Sequence, residues 1–159
     1  MEASGTGNMK FMMNGAVTLG THDGANIEIF DAVGEGNYFS FGLTVPEVLE
    51  LRRKQTYNSR EFLAGHEPLR RIIHDFINAD SNDAMRAQFP YIFDSLTAHN
   101  DEFFVLKDFD DYVRTQKLAN SYYEDKVKWS KMAAMNIAHS GIFASDETIK
   151  RYAEETWNV

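Results

Sequence analysis

The sequence has 159 residues, enough for the buried core of one domain and short for two complete ones. Hydrophobic residues make up 43% and charged residues 25%, no apolar run approaches the roughly 20 residues of a membrane span, and the lack of cysteine excludes disulfide stapling. With 24 acidic against 16 basic side chains the formal charge is -8, which argues against a nucleic-acid partner, and a cytoplasmic setting without a membrane partner fits best.

In chain order the first feature is Ser4-Gly5-Thr6-Gly7-Asn8. Glycines let backbone N–H groups approach a phosphate, a hydroxyl adds a donor, and a helix beginning near Asn8 would aim its positive end at the anion. The same residues would serve any tight turn before a helix, and they match neither the Walker pattern nor a dinucleotide fingerprint. Lys10 comes next in the apolar segment Met9 to Met13, where desolvation would favour the neutral amine that forms Schiff bases. A phosphate cradle with such a lysine a few residues on suits pyridoxal phosphate.

Residues 16–20 and 38–42 are short β-branched or aromatic runs ended by glycine, and residues 24–33 between them read as a helix, together a βαβ unit. Eight of the ten glycines fall within residues 1–42, so the front reads as α/β and the remainder as mostly helical. Thr44-Val45-Pro46-Glu47 offers a capping box with proline in the first turn. Leu69, Ile72, Ile73, Phe76 and Ile77 recur at helical spacing, as do Phe89, Ile92, Phe93 and Leu96 around Pro90. Residues 103–106 predict a third strand. Helices are predicted over 110–123 and 129–139, with Ser145 capping a last one that runs to about Trp157. Arg52-Arg53-Lys54 and Arg70-Arg71 read as solvated helix faces, and Tyr112, Tyr122, Tyr123, Trp129, Tyr152 and Trp157 as core. One compact unit is the expectation. The five histidines, His22, His66, His74, His99 and His139, show no metal-ligand spacing, and no carboxylates form a catalytic pair.

Residues 2–14, Glu2-Ala3-Ser4-Gly5-Thr6-Gly7-Asn8-Met9-Lys10-Phe11-Met12-Met13-Asn14, resemble the signature of the α-glucan phosphorylases, the glycogen, starch and maltodextrin phosphorylase family. The likeness continues through Gly15 to Thr21, Asp23 to Glu28 and Tyr38 to Gly42, and returns at Trp129, Asn136-Ile137-Ala138, Ser140-Gly141 and the closing helix, so it covers essentially the whole chain. His22 departs from the pattern, standing where the family more often has an apolar residue. Family members are several times longer, and the sequence looks like their C-terminal piece alone.

The resemblance implies an α/β fold, the C-terminal part of the Rossmann-like domain of a two-domain, GT-B type glycosyltransferase without its N-terminal domain. It implies retaining phosphorolysis, in which orthophosphate attacks the terminal α-1,4-linked glucose of a glucan and releases α-glucose 1-phosphate. Lys10 would carry pyridoxal 5'-phosphate as a Schiff base, and Thr6 and Gly7 would bind its phosphate. Glu2 would accept hydrogen bonds from glucose hydroxyls, while Ala3, Ser4 and Gly5 would offer backbone groups to the same sugar. The full enzyme would be a homodimer acting on glucan and orthophosphate; the piece alone is expected to be inactive and open to self-association. Two alternatives stand beside this reading: a non-catalytic truncated module, and another pyridoxal-phosphate enzyme such as an aminotransferase, although those commonly place a serine where Gly7 stands.

Overall fold

The computed structural model describes residues 6–77 and 88–159. The chain forms two compact units rather than one: Met1–Phe41 with Asp111–Val159, and Gly42–Asp110. The first boundary falls where the glycine-rich composition ends, whereas no composition change marks the second.

The first unit opens with α1 (Thr6–Met13), β1 (Leu19–Thr21), α2 (Ala25–Val33), a 3₁₀ turn at Glu35–Asn37 and β2 (Phe39–Phe41). β1 and β2 pair in parallel with Leu19 opposite Phe39 and Thr21 opposite Phe41, and α2 is the crossover, so the βαβ unit forms as predicted. The first strand starts later than residue 16 because Gly15 and Ala16 cap the end of α1. Gly15 is left-handed at φ +82°, which lets the Gly15 and Ala16 amides donate to the Met12 and Phe11 carbonyls at 2.9 and 3.0 Å.

In the second unit come α3 (Val45–Lys54), α4 (Ser59–Gly65), α5 (Glu67–Ile77) and α6 (Phe89–Thr97). The capping box forms as predicted: the Glu47 carboxylate accepts from the Thr44 N–H at 2.8 Å and from its hydroxyl at 2.6 Å. These bonds hold the Glu47 carboxyl below its usual range. Helix α4 is an addition to the sequence reading, although Asn58 with Glu61 three residues on is a capping signal. The Asn58 side chain accepts from the amides of Arg60 and Glu61 at 3.1 and 3.2 Å. Asn58→Ala is expected to cost about 1 kcal/mol of unfolding free energy, measured by urea titration followed in the far-ultraviolet.

The strand predicted over 103–106 does not form. Burial does alternate there, with Phe104 and Leu106 inside and Phe103 and Val105 outside, but the Asp101 carboxylate captures the Val105 and Leu106 amides at 2.9 and 2.8 Å. With Phe104 left-handed at φ 57° the backbone turns instead of extending. Nearby, a Cβ on Gly42 would lie 2.6 Å from Asp108 Oδ2, so glycine is what allows that carboxylate to take the Leu43 amide at 2.9 Å.

The chain re-enters the first unit along α7 (Phe109–Glu124) and continues through α8 (Lys126–His139), a 3₁₀ turn at Ser140–Phe143 and α9 (Ser145–Arg151), which runs on as a π-helical Tyr152–Trp157. Ala144, not Ser145, is the N-cap of α9. Two apolar clusters make the core of this unit. Met12 of α1 meets Ile29, Val33 and Tyr38, with Phe30, Ala32 and Phe143 around them. Phe39 of β2 meets Ala119 and Met132, flanked by Val17, Leu19, Tyr122 and Trp129. Asn136, fully buried, donates from Nδ2 to the carbonyls of Asn37 and Met132 at 3.0 Å each and so ties α8 to the turn ahead of β2. Of the aromatic residues assigned to the core, Tyr122 and Trp129 join it, whereas Tyr123, Tyr152 and Trp157 are more than half exposed. Tyr152 and Trp157 stack on each other at 6.0 Å instead. Among the described residues no helix is long and apolar enough to cross a membrane.

Candidate functional site

Of the predicted site residues, Thr6, Gly7 and Lys10 lie on α1, and Glu2, Ala3, Ser4 and Gly5 lie outside the described residues. Helix α1 buries one residue completely, Met12, against α2 and Tyr38. Thr6, Gly7 and Lys10 are exposed. Residues three and four apart share a helical face, so Lys10 stands one turn after both Thr6 and Gly7. The apolar segment around Lys10 therefore does not desolvate it, contrary to the sequence reading: Phe11 and Met13 point outward as well, at 68% and 58% exposure.

The first turn of α1 has the features of an anion seat. Its leading amides have no intrahelical acceptor, and it contains no acidic side chain that would compete for them. A Cβ built on Gly7 meets nothing within 4 Å of the described residues, so the surface beside its Cα is open. These residues fit a phosphate group with an electrophilic carbonyl one turn along: amide and hydroxyl donors at Thr6 and Gly7, and a primary amine at Lys10. The cavity of about 450 Å³ between α1, α2 and the C-terminal helices lies elsewhere, lined by Met9, Glu28, Phe143, Arg151, Tyr152 and Glu155 among others, and touches none of the three.

A polar network that the sequence reading did not anticipate holds the same turn. Asn8 donates from Nδ2 to Asn26 Oδ1 at 2.8 Å, and Asn26 donates from its own Nδ2 to the Thr21 carbonyl at 2.9 Å. The Tyr38 hydroxyl reaches the same carbonyl at 3.3 Å, and the Thr21 hydroxyl donates to Asp23 at 2.8 Å. A Cβ on Gly20 would lie 2.7 Å from Asn26 Nδ2, so the strand accepts this amide only because residue 20 is glycine. Asn8 Oδ1 is buried with no partner, an acceptor of the kind that a bound water or ligand hydroxyl satisfies.

The histidines serve local roles where the structure places them. His66 faces Asp110 at 3.0 Å between the Phe62 and Phe109 rings, and His22 meets the Phe30 ring edge-on at 4.9 Å.

A family model described as carbohydrate phosphorylase matches residues 1–159. The chain is 49% identical over 158 residues to the glycogen phosphorylase of Bacillus subtilis, a match covering 99% of this chain and 20% of that protein. It is 42% identical to the muscle form of glycogen phosphorylase from Homo sapiens and 45% identical to the glycogen phosphorylase of Synechocystis sp., in each case over 99% of this chain and 18% of the relative. The chain thus spans about a fifth of the length of these curated relatives.

Proposed function

The chain belongs to the carbohydrate phosphorylase family, and on that basis we propose that it forms the cofactor-bearing part of an α-1,4-glucan phosphorylase. The reaction is retaining phosphorolysis of terminal α-1,4-glucosyl units by orthophosphate, yielding α-glucose 1-phosphate in the breakdown of glycogen or maltodextrin. The 159 residues belong to the C-terminal half of a two-domain, GT-B type glycosyltransferase, in a full enzyme that is a cytoplasmic homodimer. The carrying observation is the outward face of α1: exposed Thr6 and Gly7 in a first turn free of carboxylates, with an exposed Lys10 one turn later.

Pyridoxal 5'-phosphate is the cofactor that this donor set suits, and when bound it supplies a phosphate that gives and takes a proton at the substrate phosphate. Lys10 would hold its carbonyl carbon through Nζ. The Thr6 hydroxyl and the Thr6 and Gly7 amides would bind its phosphate, helped by the positive end of the α1 dipole, while Gly7 keeps side-chain atoms out of the way. Met12 is buried and Lys10 exposed, which supports a ligand on the Lys10 side of α1. Glu2, through its carboxylate, and Ala3, Ser4 and Gly5, through their backbone groups, are assigned to the glucose by the family resemblance.

The assignment is tested by incubating the chain with pyridoxal 5'-phosphate, reducing with borohydride and mapping the modified lysines by mass spectrometry. Lys10 is expected to be labelled about tenfold above the chain's other lysines, the effect of roughly one charge-assisted hydrogen bond. Inorganic phosphate should compete, and Lys10→Ala should remove the preference. Labelling spread evenly over the lysines would sink the reading.

A further inference from the structure

Taking α1 as the pyridoxal-phosphate seat, on which this inference rests, we propose that Asn26 is a positioning residue for Lys10 that acts through Asn8. An α-helix advances roughly 100° per residue, so Asn8 and Met12, four apart, lie on one face of α1, and Lys10, two residues from each, lies on the opposite side. Helix α1 therefore has two inward anchors. Met12 holds its C-terminal half by apolar contact, which is non-directional. Asn8 holds its N-terminal half by a hydrogen bond at 2.8 Å, which sets an angle.

Without the second anchor, an eight-residue helix pivots on Met12 and frays at its start. Those are the amides assigned to the phosphate. Asn26 is suited to the task because its two ends are used in a forced order. The Thr21 carbonyl requires a donor, so Nδ2 faces β1 and Oδ1 is left to receive Asn8. Aspartate at position 26 keeps the shape and the acceptor for Asn8 but presents an oxygen to the Thr21 carbonyl. Gly20 leaves the space through which the amide reaches the strand. The network thus registers the first turn of α1 against the end of β1, the two asparagines standing 18 positions apart in the chain.

The test is a double-mutant cycle of Asn8→Ala and Asn26→Ala in the full chain, read by hydrogen exchange of the α1 amides and by the rate of borohydride trapping of pyridoxal 5'-phosphate on Lys10. Each single change is expected to speed α1 exchange and slow Lys10 trapping about tenfold, the loss of one hydrogen bond, with the double variant no worse than either single. Asn26→Asp should behave like Asn26→Ala. Trp129 emission, which reports the separate Phe39 cluster, should stay unchanged. Should Asn26→Ala unfold the chain, Asn8→Ala removes the same bond without disturbing Thr21 and decides the matter alone. Wild-type trapping at Lys10 with unchanged rates in the Asn variants, or single effects that multiply in the double, would overturn the positioning role while leaving the cofactor reading intact. No preference for Lys10 in the wild-type chain would overturn the cofactor reading and, with it, this role.

Discussion

Met12→Ala lowers the unfolding free energy of the first unit by about 2–5 kcal/mol, the range for truncating a buried methionine to alanine. Met12 is fully buried and is the sole buried residue of α1, where it meets Ile29, Val33 and Tyr38. The change removes its transfer free energy and leaves a cavity at the junction of α1 and α2, which close packing cannot fill without shifting helices. Urea titration followed by Trp129 emission measures it, because that ring stacks on Phe39 within the same unit at 6.2 Å. Met12→Leu, which nearly preserves volume, should cost less than about 1.5 kcal/mol. A midpoint for Met12→Ala equal to that of the wild type would show that α1 is not held by this contact.

The second large effect is in the other unit. Asp101→Ala is expected to cost about 2–3 kcal/mol, since hydrogen bonds to a charged group are the strong ones and the Leu106 amide is left buried after the change. The Asp101 side chain accepts from Val105 and Leu106 amides and, at 3.0 Å, from the Tyr57 hydroxyl. Hydrogen exchange at Val105 and Leu106 should accelerate with the loss of stability.

The same cluster makes stability depend on alkaline pH. Burial, then the negative charge of Asp101, pushes the Tyr57 phenol above its usual range. A folded pKa above the unfolded one means that the unfolded chain releases its proton first. The stabilisation is therefore complete below the ordinary tyrosine value of about 10 and is lost as pH rises above it. Tyr57→Phe should flatten that decline, and an identical slope in both proteins would contradict the assignment.

Local signals carried much of the fold. Thr44 with Glu47, Pro46 in the first turn, and the spacing of Leu69 to Ile77 are set by residues within one or two turns, so the predicted helices form. The βαβ unit was equally readable, because glycine bounds both of its strands. Errors arose where backbone amides that the pattern assigns to a strand are taken by another acceptor, a side chain in one case and helix carbonyls in the other. The burial alternation of residues 103–106 is that of a strand, but Asp101 binds their amides. The residues expected to open the first strand are used in capping α1.

The candidate site divides along the same line. Thr6, Gly7 and Lys10, the proposed phosphate seat with its amine, could be grouped from the sequence because one helical turn brings them together, and their order alone specifies that turn. The residues alone therefore established the family likeness and most helix positions. The outward aim of Lys10 came from elsewhere: Met12 is drawn inward by α2 and Tyr38, and Asn8 is tied to Asn26 and through it to β1. A run of apolar neighbours cannot say which of its members is buried. That depends on contacts between residues distant in the chain, which exist only once α1, β1 and α2 have packed.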